Sequence, residues 1–166
     1  MDTRKLRRAT ATAAAIAMAL GFTTPIAAET PAHAEHATEI GKLRLDNGRK
    51  WEPDRPLREG MSRLRMAVEP QLAPASTGEL VPAQYGGIAD RIEEGVGYIV
   101  ANCKLDPEPD EVLHVILGEV IAGTEAMRGK SAAHPPHEGL EQVARALNAY
   151  ASHFDDADFK PIQFTH

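Results

Sequence analysis

The chain has little cysteine, few aromatic residues and almost no sequence that could form a β-strand. Cys103 is the only cysteine among 166 residues, so an internal disulfide is excluded. Aromatic residues make up 5% of the chain, which fits a core filled mainly by aliphatic side chains. After residue 34 no apolar run is long enough to cross a bilayer. Alternating strand patterns are nearly absent, and the sequence therefore predicts an all-α fold.

Basic residues are outnumbered by acidic ones. The chain has 18 lysines and arginines against 24 aspartates and glutamates, for a net charge of −6. This balance argues against nucleic acid and anionic membranes as partners, and it is compatible with cations or a basic partner protein. No nucleophile and base have the spacing of a catalytic family, and no serine lies in a catalytic motif. We therefore predict that the protein is not an enzyme.

Residues 1–34 have the features of an export signal. A basic start over residues 4–8 is followed by a mostly apolar stretch, and residues 32–34 form an A-x-A cleavage site, with Ala28 as a second candidate cut. We predict a signal peptide over 1–34 and a periplasmic mature protein, residues 35–166, without a membrane span. The removed segment carries four basic and two acidic residues, so the net charge would change from −6 to −8.

Four amphipathic helical patterns follow an extended lead-in over residues 35–54, in which Trp51 should anchor the chain to the core. In each pattern apolar residues recur at spacings of three and four, so they share one helix face. In chain order these positions are Leu57, Met61, Leu64, Val68 and Leu72; Tyr85, Ile88, Ile92, Val96, Ile99 and Cys103; Leu113, Ile116, Val120, Thr124 and Met127; and Leu140, Val143, Leu147, Tyr150 and Phe154.

Proline and capping residues indicate where these helices begin and end. Pro70 should kink or end the first helix, and Asp110 is a suitable N-cap for the third. Short loops between the helices predict an antiparallel up-down-up-down four-helix bundle over residues 55–155. A C-terminal tail, residues 156–166, should fold over one end of that bundle.

The predicted topology brings four metal-binding side chains to one end of the bundle. They come from four different helices: Met61, Cys103, His114 and His153. At about 1.5 Å rise per residue they fall in a layer about 10 Å deep. Thioether, thiolate and imidazole groups suit copper or haem iron. In a copper site, Cys103 would supply the thiolate and His114 the imidazole. Met61 would add a thioether, and His153 would be a fourth ligand.

Each member of this set also has a purely structural explanation. Met61 fits the core-filling role of a flexible apolar side chain, and Cys103 that of a small buried hydrophobe. His114 lies one residue off its apolar stripe, where a partly buried histidine with a satisfied hydrogen bond is common. His153 could be a favourable cation at a helix C-terminus. The direction of the two histidine rings therefore decides between a metal site and four unconnected side chains.

Two helices resemble those of a known family. Residues 57–64, Leu-Arg-Glu-Gly-Met-Ser-Arg-Leu, are similar in kind to the helix that supplies the axial methionine of b-type four-helix cytochromes. Residues 148–150, Asn-Ala-Tyr ahead of His153, are similar to the helix that supplies their axial histidine. The mature chain thus resembles the periplasmic superfamily of cytochrome b562 and the cytochromes c′. The resemblance implies Met61 and His153 as ligands of haem b, and the absence of Cys-x-x-Cys-His excludes covalent attachment.

The corner between the second and third helices carries a closer resemblance. Residues 102–114 read Asn-Cys-Lys-Leu-x-Pro-Glu-x-Asp-x-x-Leu-His, which is similar to small exported proteobacterial proteins of the same shape and implies no activity. We therefore expect a periplasmic bundle that binds copper or haem b for binding, trafficking or electron transfer, together with a periplasmic redox or partner protein. The alternative is a non-metal interaction protein with a buried or dimer-forming cysteine. Its acidic surface, or a cap formed by Trp51 and the tail, would bind the partner.

Overall fold

A computed structural model of the protein describes residues 40–132 and 134–164, and the regular elements in this part of the chain are all helices. The all-α fold class is confirmed, and the four longer helices pack together. The signal-peptide prediction, residues 1–34, lies outside the described residues. In chain order the helices are α1 (Arg55–Val68), α2 (Leu72–Ser76), α3 (Pro82–Asn102), α4 (Pro107–Met127) and α5 (Pro136–His153).

The core consists of the apolar stripes that the sequence predicts. All of the stripe positions are buried except Val96 and Cys103, which are half-buried and pack against the core. The most extensive contacts join α4 to α5 and α1 to α3. Amphipathic periodicity was therefore sufficient to identify the buried face of each long helix.

Glycines allow α4 and α5 to approach until their backbones touch. A Cβ atom added at Gly123 would lie 2.6 Å from the carbonyl oxygen of Gly139, and one added at Gly139 would lie 2.5 Å from that of Gly123. Either methyl group would collide with backbone, which cannot move aside as a flexible side chain can. The two glycines therefore set the separation of this helix pair.

The α4 helix begins earlier than the sequence indicates. Its N-cap is Asp106 and its first residue is Pro107, so the prediction of Asp110 as the N-cap is wrong. Pro109 is tolerated in the first turn because amides there have no intrahelical acceptor. As a result His114 lies about two turns from the start of the helix, rather than one.

The first helix changes its geometry at Pro70, where the sequence predicts a kink or an end. The α1 helix stops at Val68, a 3₁₀ turn spans Glu69–Gln71, and α2 then continues the chain to Ser76. The proline has no N–H to donate, and its ring clashes with the preceding turn of an α-helix.

Within the described residues, no helix combines the length and the hydrophobicity needed to cross a membrane.

The lead-in and the tail both attach where α5 ends. The backbone N–H of Trp51 donates to the carbonyl oxygen of His153 at 2.8 Å, and the backbone N–H of Asp155 donates to the carbonyl oxygen of Trp51 at 2.8 Å. Trp51 packs against the core, as predicted from its place in the lead-in. In the tail, Phe159 and Ile162 are buried. These contacts place the beginning of α1 beside the end of α5.

Candidate functional site

Cys103 ends α3 at the corner that leads into α4. It occupies the C-cap position, and its N–H donates to the carbonyl oxygen of Ile99 at 2.8 Å. Burial raises the pKa of the Cys103 thiol to about 12, and the negative charge of Asp54 and its hydrogen bond with the thiol act in the same direction. The sulfur is therefore a neutral thiol at neutral pH, whereas metal binding and nucleophilic attack require the thiolate.

Asp54 connects the start of α1 to this same corner. One carboxylate oxygen accepts the N–H of Leu57 at 2.8 Å, which caps α1. The other accepts the N–H of Lys104 at 2.7 Å. Together with its interaction with the Cys103 thiol, this makes Asp54 the common partner of three groups from two helix ends. The corner is thus held by a carboxylate that was not among the predicted site residues.

The two histidines hydrogen-bond within their own helices. His114 is directed to solvent, with a side chain 74% exposed, and its Nδ1 lies 2.9 Å from the carbonyl oxygen of Asp110 and 3.3 Å from its Oδ2. His153 is half-buried, and its Nδ1 lies 2.8 Å from the carbonyl oxygen of Ala149. With Nδ1 engaged in each ring, only Nε2 could bind a metal.

Met61 lies in the filled core at 0% exposure. A thioether in this position packs against the surrounding aliphatic side chains. Across residues 40–132 and 134–164, no group of three or more His, Cys, Asp or Glu side chains has a geometry that could hold a metal ion. Cys103, His114 and His153 therefore belong to no such group. The thioether of Met61 is not one of these four side-chain types. The four predicted ligands therefore occupy four different environments.

A second candidate site lies on the outer surface of α1. Two adjoining grooves, of about 370 Å³ and 300 Å³, share Arg63 and Met66 among their lining residues. Met66 is 66% exposed. This surface was not predicted from the sequence, although Met66 is an apolar residue off the stripe of α1, directly after Arg65.

Arg63 is held in place by stacking on an aromatic ring. Its guanidinium carbon lies 3.8 Å from the centroid of the Tyr98 ring. The Tyr98 hydroxyl donates to Glu59 Oε2 at 2.5 Å, and Glu59 Oε1 accepts from Arg55 Nε at 2.7 Å. These hydrogen bonds raise the pKa of Tyr98 and lower that of Glu59. The tyrosine is therefore neutral and the glutamate ionised at neutral pH, which keeps this stack intact.

The fold and the two sites together define a small helical bundle with a half-buried thiol at one corner and an arginine-lined outer surface. No protein-family model matches the sequence, and no curated protein and no solved structure shows significant similarity to it. The function is therefore argued from the chemistry of these two sites.

Proposed function

We propose that this chain is an exported helical-bundle protein that acts by binding a partner, without a metal centre. The placement of the predicted ligands carries the proposal, because Met61 is fully buried in the apolar core whereas the His114 side chain is directed to solvent. The Cys103 thiol is half-buried beside Asp54, and burial and Asp54 raise its pKa to about 12. A metal would have to displace the thiol proton and break the contact with Asp54.

The bundle in this proposal is antiparallel, with up-down-up-down connections. Contacts between α4 and α5 support it, because Glu119 pairs with Gln142 whereas the later Gly123 pairs with the earlier Gly139. Contacts between α1 and α3 run in the same opposed order. The short connection over residues 103–106, between two helices of 21 residues each, also favours neighbouring antiparallel helices.

The periplasm is the proposed location. The support comes from the signal-like features of residues 1–34, which lie outside the described part of the chain. A lone cysteine in an oxidising compartment is exposed to disulfide exchange with other molecules. Half-burial and a raised pKa lower the thiolate fraction of Cys103, and both would protect it there.

A copper or haem b centre is the second candidate function. It is supported by the meeting of three elements that carry predicted ligands. Asp54, at the start of α1, accepts the N–H of Lys104 next to Cys103, and Trp51 donates to the carbonyl oxygen of His153. In a haem site Met61 and His153 would be the axial ligands, as the cytochrome resemblance implies.

Metal and haem loading separates these two functions. The mature protein, residues 35–166, would be titrated with Cu(I) and, separately, with haemin, alongside Cys103→Ala, Met61→Leu and His153→Ala. The partner-binding function predicts no stoichiometric uptake of either ligand. Stoichiometric Cu(I) binding that is lost in Cys103→Ala contradicts it, and so does a Soret band that is lost in His153→Ala. Circular dichroism would check that each variant is folded.

A further inference from the structure

We infer that the outer surface of α1, centred on Arg63 and Met66, is a docking site for an acidic peptide segment of a partner protein. The inference rests on the proposed partner-binding function, and it specifies the surface and the chemistry of the partner. It is carried by the shape of this surface, by the state of its arginines and by the stacking that holds Arg63.

The two grooves form one extended surface because they meet at Met66. The first lies between α1 and the tail and includes Arg65 and Phe159. The second lies between α1 and α3 and includes Arg91. A ligand that follows both grooves must cross Met66, whose unbranched, polarizable side chain adapts to different apolar groups. The surface therefore suits an elongated chain with an apolar side chain near its middle.

Two arginines along these grooves retain hydrogen-bonding capacity. Among the described residues, Arg63 and Arg91 form no ion pair with a carboxylate. Arg65 is not counted with them, because its Nη2 donates to Glu69 at 2.7 Å and its Nε is buried, out of reach of a surface ligand. A guanidinium presents five donors in a planar fork that matches a carboxylate. The chemistry of this surface therefore selects carboxylates.

Acidic side chains also line the grooves, in the same number as the arginines. The charge that a ligand meets depends on which of these carboxylates are already hydrogen-bonded within the protein. Glu59 is bound in the stack with Tyr98, and Asp156 accepts from the Tyr150 hydroxyl at 2.9 Å. Asp158 and Glu94 are exposed. The residues common to both grooves are Arg63 and Met66, so the centre of the surface is cationic and apolar.

Arg63 is prepared for this role by the Tyr98 ring beneath it. A stacked guanidinium keeps its edge donors available while its plane is fixed, so less side-chain entropy is lost when a carboxylate binds. Arginine is enriched at the energetic centres of protein interfaces, and methionine is enriched in interfaces generally. In a chain of net charge −6, this centre gives an acidic partner a local point of attraction.

Fluorescence anisotropy with defined peptides tests the inference on the mature protein. The probe is a short labelled peptide of alternating Glu and Leu, and the comparison peptide has Lys in place of Glu. The test variant is the double substitution Arg63→Gln, Arg91→Gln. Its matched control is Arg49→Gln, Arg145→Gln, which changes the net charge equally at exposed arginines paired with Asp46 and Glu141.

We expect the acidic peptide to bind, the lysine peptide not to bind, and the test variant to bind at least about tenfold more weakly, with the control within about twofold of the parent. Absence of binding, equal binding of the lysine peptide, or equal weakening in both variants overturns the inference. A dimer that sedimentation detects and that the test variant dissociates also overturns it, because the occupant is then a second copy of the chain. These results would contradict the docking site on α1 without contradicting the metal-free function. Stoichiometric uptake of copper or haem would contradict the metal-free function itself.

Discussion

Asp54 shows at the scale of one residue how the thiol corner is assembled. Its carboxylate caps α1 through Leu57, accepts the N–H of Lys104 and interacts with the Cys103 thiol. A side chain with three partners on two helix ends contributes to stability at each of them. Burial raises the pKa of the Cys103 thiol, and Asp54 acts in the same direction.

Replacing Asp54 should therefore destabilise the fold. Asp54→Ala removes an N-cap and leaves the Lys104 N–H without its acceptor, for a loss of about 1–3 kcal/mol in the free energy of unfolding. Urea denaturation followed by circular dichroism measures this loss. The matched control is Asp106→Ala, because Asp106 occupies the N-cap of α4 without a side-chain capping bond. An equal loss in both variants would show that Asp54 has no special role.

The Cys103 thiol should make stability depend on pH in the alkaline range. Its pKa in the folded protein, about 12, is above the ordinary value of 9.0. As pH rises above about 9, the unfolded chain loses this proton while the folded protein keeps it, so folding becomes less favourable. The free energy of unfolding should fall more steeply from about pH 9 to 11 in the parent than in Cys103→Ala.

Subtracting the variant removes the contribution of the tyrosines, whose pKa values are also raised at Tyr85, Tyr98 and Tyr150. Parallel curves for parent and variant would mean that the thiol ionises equally in both states. The account of Cys103 as a proton-holding residue would then be wrong.

At the scale of the helical element, the contact between α4 and α5 depends on two glycines. Gly123→Ala places a methyl group against the backbone of α5, and we expect a loss of about 1–3 kcal/mol from overpacking. Gly118→Ala in the same helix is the control, since a Cβ there meets nothing within 4 Å. Its higher helix propensity should stabilise by up to about 1 kcal/mol. Thermal melts of both variants should shift in opposite directions, and a shared direction would contradict this account.

The long helices could be predicted because their stripes repeat over several turns, from Leu57 in α1 to Phe154 after α5. Their starting points were harder to predict. Asp110 has the chemistry of an N-cap, but proline also suits the first position of a helix. The α4 helix begins at Pro107, the earlier of the two residues. Local propensity alone does not decide between two adequate starts.

The environments of the candidate ligands could not be predicted from the sequence. Their shared layer at one end of the bundle stays a prediction, and His114 faces solvent because it is off the buried stripe and bonds to Asp110. The pKa of Cys103 is raised by burial and by Asp54, which is distant in sequence. Spacing alone indicates which residues share a helix face, whereas the environment of a thiol or an imidazole depends on contacts between elements.

At the scale of the whole molecule, the two sites support different functions. The thiol corner has its polar groups engaged by the protein itself, as the hydrogen bonds of Asp54 demonstrate. The α1 surface combines an exposed methionine with two arginines, Arg63 and Arg91, that form no ion pair among the described residues. A protein that works by binding a partner needs an accessible surface such as that of α1. A metal carrier would need the side chains of the thiol corner to be available as ligands.

Native mass spectrometry of the chain over residues 35–166, purified from producing cells, tests the absence of a metal centre most directly. The account predicts the mass of the polypeptide alone, with Cys103 as a free thiol, and the same metal-free state in Cys103→Ala and His153→Ala. A parent mass that includes one copper ion or one haem, and that returns to the polypeptide mass in either variant, would contradict the account.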